Sequence, residues 1–168
     1  MRWILWITGA LSAVLFIALV ILAKGWLGAG GFSIFDDHLA GYSVASARDY
    51  LSALTVEQTA LYLGLFRWID TVFIILLTFT LASLIWTQAR GMSRLVRGFI
   101  ALTPCVYLML YLSENAAVAH LLNIGPQVSA GAILQASAYT IAKWISLTLA
   151  MLLCVWAWRL SPKEAEVA

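Results

Sequence analysis

Charge is what this sequence has least of. Asp, Glu, Lys and Arg make up 11% of its 168 residues, against about 25% in an ordinary soluble domain. No basic tract is present, so a nucleic-acid surface is not indicated. Cysteine is nearly missing too. Cys105 and Cys154 both stand in apolar runs, without CxxC or zinc-ligand spacing, so neither a disulfide framework nor a metal centre is implied, and no cofactor. Neither GxSxG nor HExxH occurs, which removes the common nucleophile and zinc-hydrolase arrangements. Any chemistry would have to run on Glu, Lys, Asp and Tyr, and whether the chain is an enzyme stays open.

What is abundant is apolar sequence: 63% of the residues, with a mean hydropathy of +0.94. That excess exceeds what one soluble core takes and reads as membrane class. A membrane helix needs about 20 mostly apolar residues, and runs near 3–23, 68–87, 97–121 and 134–158 qualify. The first carries only Arg2 ahead of it, and its apolar stretch is longer than a signal-peptide core, so it reads as a retained span. The expected fold class is all-α: an integral membrane four-helix bundle, one domain over residues 1–160, with a short charged cytoplasmic tail at 161–168.

Orientation follows from Lys and Arg in the short segments. Arg90, Arg94 and Arg97 lie between spans two and three, Arg2 precedes span one, and Arg159 and Lys163 follow span four. With four spans these fall on one side, which places both termini in the cytoplasm. Lys24 is the charge against this scheme. Residues 24–67 then form a long external first connector. Its first half is glycine-rich, and its second half reads as an amphipathic helix that Ser43 or Ser46 could cap, with Tyr50, Leu51, Leu54, Leu61 and Leu65 on its apolar side. Such a helix would lie in the interface or fold over the external mouth of the bundle.

A charge inside a span normally faces the bundle interior and marks a functional site. The candidates are Asp70, Glu114 and Lys143, one each on spans two, three and four. At 1.5 Å per residue, Lys143 lies roughly 14 Å deep and Glu114 about 10 Å below the external surface. Side chains lean toward the helix N-terminus, which on these opposed spans brings the two together. A Glu114–Lys143 ion pair is therefore expected. Asp70 is shallower and has other options: capping span two, pairing with Arg67, or joining the cluster. Tyr111 and Asn115 flank Glu114, and Tyr139 and Thr140 precede Lys143 by four and three residues, so these four are expected to line a polar pocket. Asp36, Asp37 and His38 read as a solvated external cluster, and His120 as an interfacial residue. Trp144 is a misfit, since it lies well inside span four rather than at a boundary.

Phe35-Asp36, Gly41-Tyr42-Ser43, Asp70-Thr71-Val72-Phe73, Glu114-Asn115, Thr140 and Lys143-Trp144, in this order and spacing, resemble an uncharacterised family of small bacterial four-helix membrane proteins. The resemblance covers most of the chain. It implies this architecture, these polar residues and a bacterial inner-membrane location, and carries no activity with it. A weaker resemblance is to the EXPERA-type membrane proteins, which include the sigma-2 receptor and the emopamil-binding protein. It rests on Asp36 or Asp37 and on Asp70, implies an enclosed lipophilic ligand, and does not extend to Lys143.

The favoured function is a site for a membrane lipid or lipophilic small molecule in the outer half of the bundle. A structural or assembly subunit is the alternative, with polar residues and the small residues of spans three and four gluing helices to a second copy or another membrane protein. A proton- or ion-coupled transport component is a further one, although the inner halves of the spans lack matching ionisable groups and no inverted repeat is seen.

Overall fold

The computed structural model describes residues 2–160; the expected tail at 161–168 lies outside the described residues. Four helices are long and apolar enough to cross a membrane, over Trp3–Leu27, Val56–Gly91, Arg94–Gln127 and Ala130–Arg159. Helix α1 spans Arg2–Leu22 and runs on as a π-helical turn to Leu27. α2 (Val44–Ala53) and α3 (Val56–Leu61) form the second half of the connector. α4 is Arg67–Gln88, α5 is Arg94–Ala101, α6 is Thr103–Ile124 and α7 is Ala130–Leu160.

The long helices alternate in direction. Thr80 of α4 donates to Thr8 of α1, and Phe16 stacks on Phe73 at 5.9 Å, which fixes α1 and α4 as an antiparallel pair. α6 and α7 form a hairpin closed at Gly125, whose φ of +75° is a left-handed turn that favours glycine. α4 packs against both. Among the long helices α1 packs chiefly on α4, so a gap is left between α1 and α7.

Two expected helices are broken. The connector was expected to hold one helix and holds two, because Thr55 starts a new one: its hydroxyl accepts from Gln58 N–H while the Gln58 side chain accepts from Thr55 N–H, a reciprocal capping box. α3 leads into α4 through Tyr62–Phe66, where Gly64 leaves helical geometry (φ −93°, ψ −105°) and kinks the chain, so the apolar helical stretch begins earlier than its hydropathy suggests but is not one straight helix. The third run is divided at Leu102. Pro104 has no N–H to give the Ile100 carbonyl four residues back, and its ring crowds that oxygen. The Thr103 hydroxyl bonds the carbonyl instead at 2.8 Å. This separates the short amphipathic α5 from α6.

The connector is packed onto one end of the bundle. Ser43 caps α2, accepting from Ser46 N–H. Arg48 donates to the Val128 carbonyl in the α6–α7 turn, and Tyr50 donates to the Leu27 carbonyl at 2.9 Å. Phe35 is buried against the rings of Tyr42 and Tyr50, with centroids 4.8 and 5.1 Å away. Tyr42 N–H donates to Ser137 of α7 at 2.8 Å. Gly41 (φ +78°) lies so close to α7 that a Cβ there would stand 2.5 Å from Ser137 Oγ. The loop therefore makes fixed contact with the helix that carries Lys143.

Candidate functional site

The site is built where α4, α6, α7 and the Phe35–Asp37 turn meet. α7 buries Ala136, Thr140 and Lys143, spaced four and three residues apart and so on one face. Lys143 is 1% exposed and Glu114 of α6 is 0% exposed. The Lys143 ammonium forms ion pairs with both Glu114 and Asp36. Glu114 Oε1 also accepts from Thr140 Oγ1 at 2.5 Å. A buried ammonium needs counter-charge and acceptors for its protons, and here two carboxylates from separate parts of the chain supply them.

Asp70, 2% exposed, joins the same cluster and neither caps α4 nor pairs with Arg67. Its carboxylate accepts from Tyr111 Oη at 2.5 Å and from Asn115 Nδ2 at 2.6 Å. Tyr111 links Asp70 to Lys143. Its hydroxyl serves Asp70, while its ring face receives the Lys143 ammonium at 4.4 Å. Tyr107 stacks edge-on against Tyr111, with centroids 5.6 Å apart.

Asp36 corrects the expectation of a solvated loop acid. It bonds Lys143 and accepts from Tyr62 Oη at 3.2 Å, with its side chain 17% exposed. Burial of Phe35 turns the next residue toward α7, a signal visible in the sequence only as an aromatic beside an acid. Asp37 points the other way and pairs with Lys24 at 2.5 Å. The same turn therefore takes one lysine on each side. Outside the long helices, burial together with Asp36 and Asp37 pushes the Tyr50 hydroxyl above its ordinary range.

Tyr139 stands on the flank of the buried α7 face, half-buried, and bonds none of the cluster's charges among the described residues. Two nearby hydroxyl groups turn to their own backbone: Thr71 donates to the Arg67 carbonyl and Ser146 to the Lys143 carbonyl. His120 is exposed.

A cavity of about 700 Å³ lies between α1, α4 and α7. Its walls are mostly apolar, with Phe16, Phe73, Leu77 and Leu147 among them, and its charged end is formed by Asp36, Asp70 and Lys143. Lys24 and Asp37 also border it. It runs from Lys24 to Gly9 of α1, roughly 20 Å at the helical rise. Trp144 lines it as well, and its indole N–H is buried with no partner among the described residues. Glu114 does not reach the cavity wall.

Compared with known proteins, the chain matches no family model, no curated protein and no solved structure.

Proposed function

We propose that this is a four-span membrane protein whose cavity holds a lipid or a lipophilic small molecule. The head would rest against Asp36, Asp70 and Lys143, and the apolar part would run along α1, α4 and α7. The observation that carries this reading is one elongated cavity, apolar along its length and charged at one end. Its volume is in the range of ordinary ligand sites. Among the described residues Asp70 is bonded only to neutral donors. The carboxylates and the Lys143 ammonium on the wall suit a head that both donates and accepts hydrogen bonds. Entry between α1 and α7 fits the sparse packing of that pair.

For orientation, the support is the distribution of arginine. Arg90, Arg94, Arg97 and Arg159 belong to one end of the bundle, with no acid beside them among the described residues, whereas the connector at the other end carries Arg48 and Arg67 together with Asp36, Asp37, Asp49 and Glu57. The arginine end reads as cytoplasmic, within a bacterial inner membrane. Lys24 no longer counts against this, because Asp37 neutralises it locally. The fully enclosed Glu114 favours a second, structural role for that residue, which leaves an assembly function as the competing reading.

Native mass spectrometry of protein gently extracted from its own membrane tests the proposal. Wild type should carry a molecule of defined mass. Leu147→Trp, which fills the cavity, should lose it, as should the Glu114→Gln, Lys143→Met double variant. Identical nonspecific lipid on all three samples would sink the ligand reading. A protein partner lost only in the double variant would put assembly in its place.

A further inference from the structure

The end of the bundle away from the cavity's charged cluster carries an independent arrangement. Ile85 of α4, Ala89 in the turn after it, Ile100 of α5 and Ala157 of α7 form one buried apolar cluster. This packing brings three chain segments together, and each carries arginine: Arg90 beside Ala89, Arg94 and Arg97 ahead of Ile100, and Arg159 just after Ala157. Among the described residues, no Asp or Glu lies between Asp70 and Glu114 or beyond Glu114. Among the described residues, the positive charge at this end therefore has no carboxylate to offset it, and Glu164 and Glu166 follow only in the tail.

Arg97 is unlike the others. Its guanidinium lies over the Trp86 ring at 4.0 Å, and its Nε donates to the Trp86 carbonyl at 2.6 Å. The stack and this bond fix the plane of the group. The two Nη atoms have no partner among the described residues. A guanidinium held by one edge presents its remaining N–H donors as a preformed fork for phosphate oxygens. Beside it, α5 exposes Leu95 (87%) and Phe99 (78%), while Arg90 and Arg94 are also exposed. A short helix with bare apolar side chains next to arginines suits the boundary between acyl chains and head groups.

We infer that this end holds a specific site for the head group of an anionic phospholipid, with Arg97 as its fixed anchor. Arg90 and Arg94 add charge, and Leu95 and Phe99 lie against the acyl chains. The inference rests on the reading of the chain as membrane-embedded, but not on the cavity or its ligand.

The test uses delipidated full-length protein titrated with dioleoylphosphatidylglycerol or dioleoylphosphatidylcholine and followed by native mass spectrometry. Wild type should retain one phosphatidylglycerol, about tenfold more tightly than phosphatidylcholine. Arg97→Gln should lose that preference. Arg97→Lys should weaken it, since the charge stays but the fork goes. Arg159→Gln, with the same loss of charge, should keep it. Equal retention of the two lipids by wild type would overturn the site, although membrane embedding would stand if both are retained. An Arg159→Gln loss as large as that of Arg97→Gln would reduce the effect to general charge and overturn the anchor. Displacement of the lipid by inorganic phosphate at equal concentration would make this a phosphate site and overturn the lipid assignment.

Discussion

Replacing Lys143 with methionine removes the one cation shared by two carboxylates, Glu114 and Asp36. Their losses differ. Glu114 is 0% exposed and, among the described residues, is left with only the Thr140 hydroxyl. Asp36 keeps its bond from Tyr62, and its side chain is 17% exposed. Breaking a buried ion pair from one side costs about 3–5 kcal/mol, because a charge is stranded. Most of that cost should come from Glu114. In a chain of this size 1 kcal/mol moves the melting temperature by roughly 2–4 °C. Lys143→Met should therefore melt roughly 10 °C below wild type.

Adding Glu114→Gln removes the stranded charge and keeps an oxygen for Thr140. The double variant should recover about half of the loss. Adding Asp36→Asn instead should recover less, about 1 kcal/mol at most, because water already reaches that carboxylate. Thermal unfolding of wild type, the three single variants and the two double variants in one detergent, read by intrinsic fluorescence, gives both couplings. Additive losses for Lys143→Met and Glu114→Gln would refute the pairing as the source of stability. So would a rescue by Asp36→Asn equal to that by Glu114→Gln.

Four further changes follow from local geometry and burial. Gly41→Ala places a Cβ 2.5 Å from Ser137 Oγ and 2.9 Å from Ile141 Cδ1 at φ +78°, so it should destabilise by about 1–3 kcal/mol. Gly98→Ala, with open space around it in α5, should be neutral or stabilising by up to about 1 kcal/mol; paired melting curves check both. Thr55→Ala removes the capping box of α3 and should cost about 1 kcal/mol, seen as faster amide exchange at Val56–Leu61. Tyr50 is held neutral by burial and by Asp36 and Asp37. Its contribution is present below the ordinary tyrosine range near pH 10 and is lost as pH rises above it. Alkaline melting should therefore fall off more steeply in wild type than in Tyr50→Phe.

The positions of the long helices and the Glu114–Lys143–Thr140 contact were legible in the sequence because both depend on local periodicity. A fixed rise per residue sets depth, and three- and four-residue spacing sets the face. Tyr139 was misplaced by the same rule: it is four residues before Lys143, yet lies about 100° round the helix from the buried Thr140 and is only half-buried. The division of the third run was chemically legible at Pro104 but hidden by an unbroken apolar pattern. Asp36 was not legible. Its partner is 107 residues away, and only the packing of Phe35 against Tyr42 and Tyr50 directs the turn inward. The gap between α1 and α7 is likewise a property of which helices touch, and hydropathy carries no record of that.

The cluster has two layers with different exposure. Glu114 and Thr140 lie behind Lys143 and away from the cavity, whereas Asp36 and Asp70 reach its wall. Lys143 touches both layers, so a group that displaces Asp36 still leaves the ammonium paired with Glu114. Displacing Glu114 would strand a fully enclosed carboxylate. Asp36 and Asp70 are therefore the acids that a ligand head can engage at low cost, and Glu114 is the one that holds Lys143 in position. This division separates two readouts. Asp36→Asn and Asp70→Asn should reduce retention of the bound molecule in native mass spectrometry with small changes in melting. Glu114→Gln should lower the melting temperature and alter retention only through the position of Lys143. If all three variants shift both readouts in proportion, the layers act as one structural unit, and the cavity-facing acids have no separate role in binding.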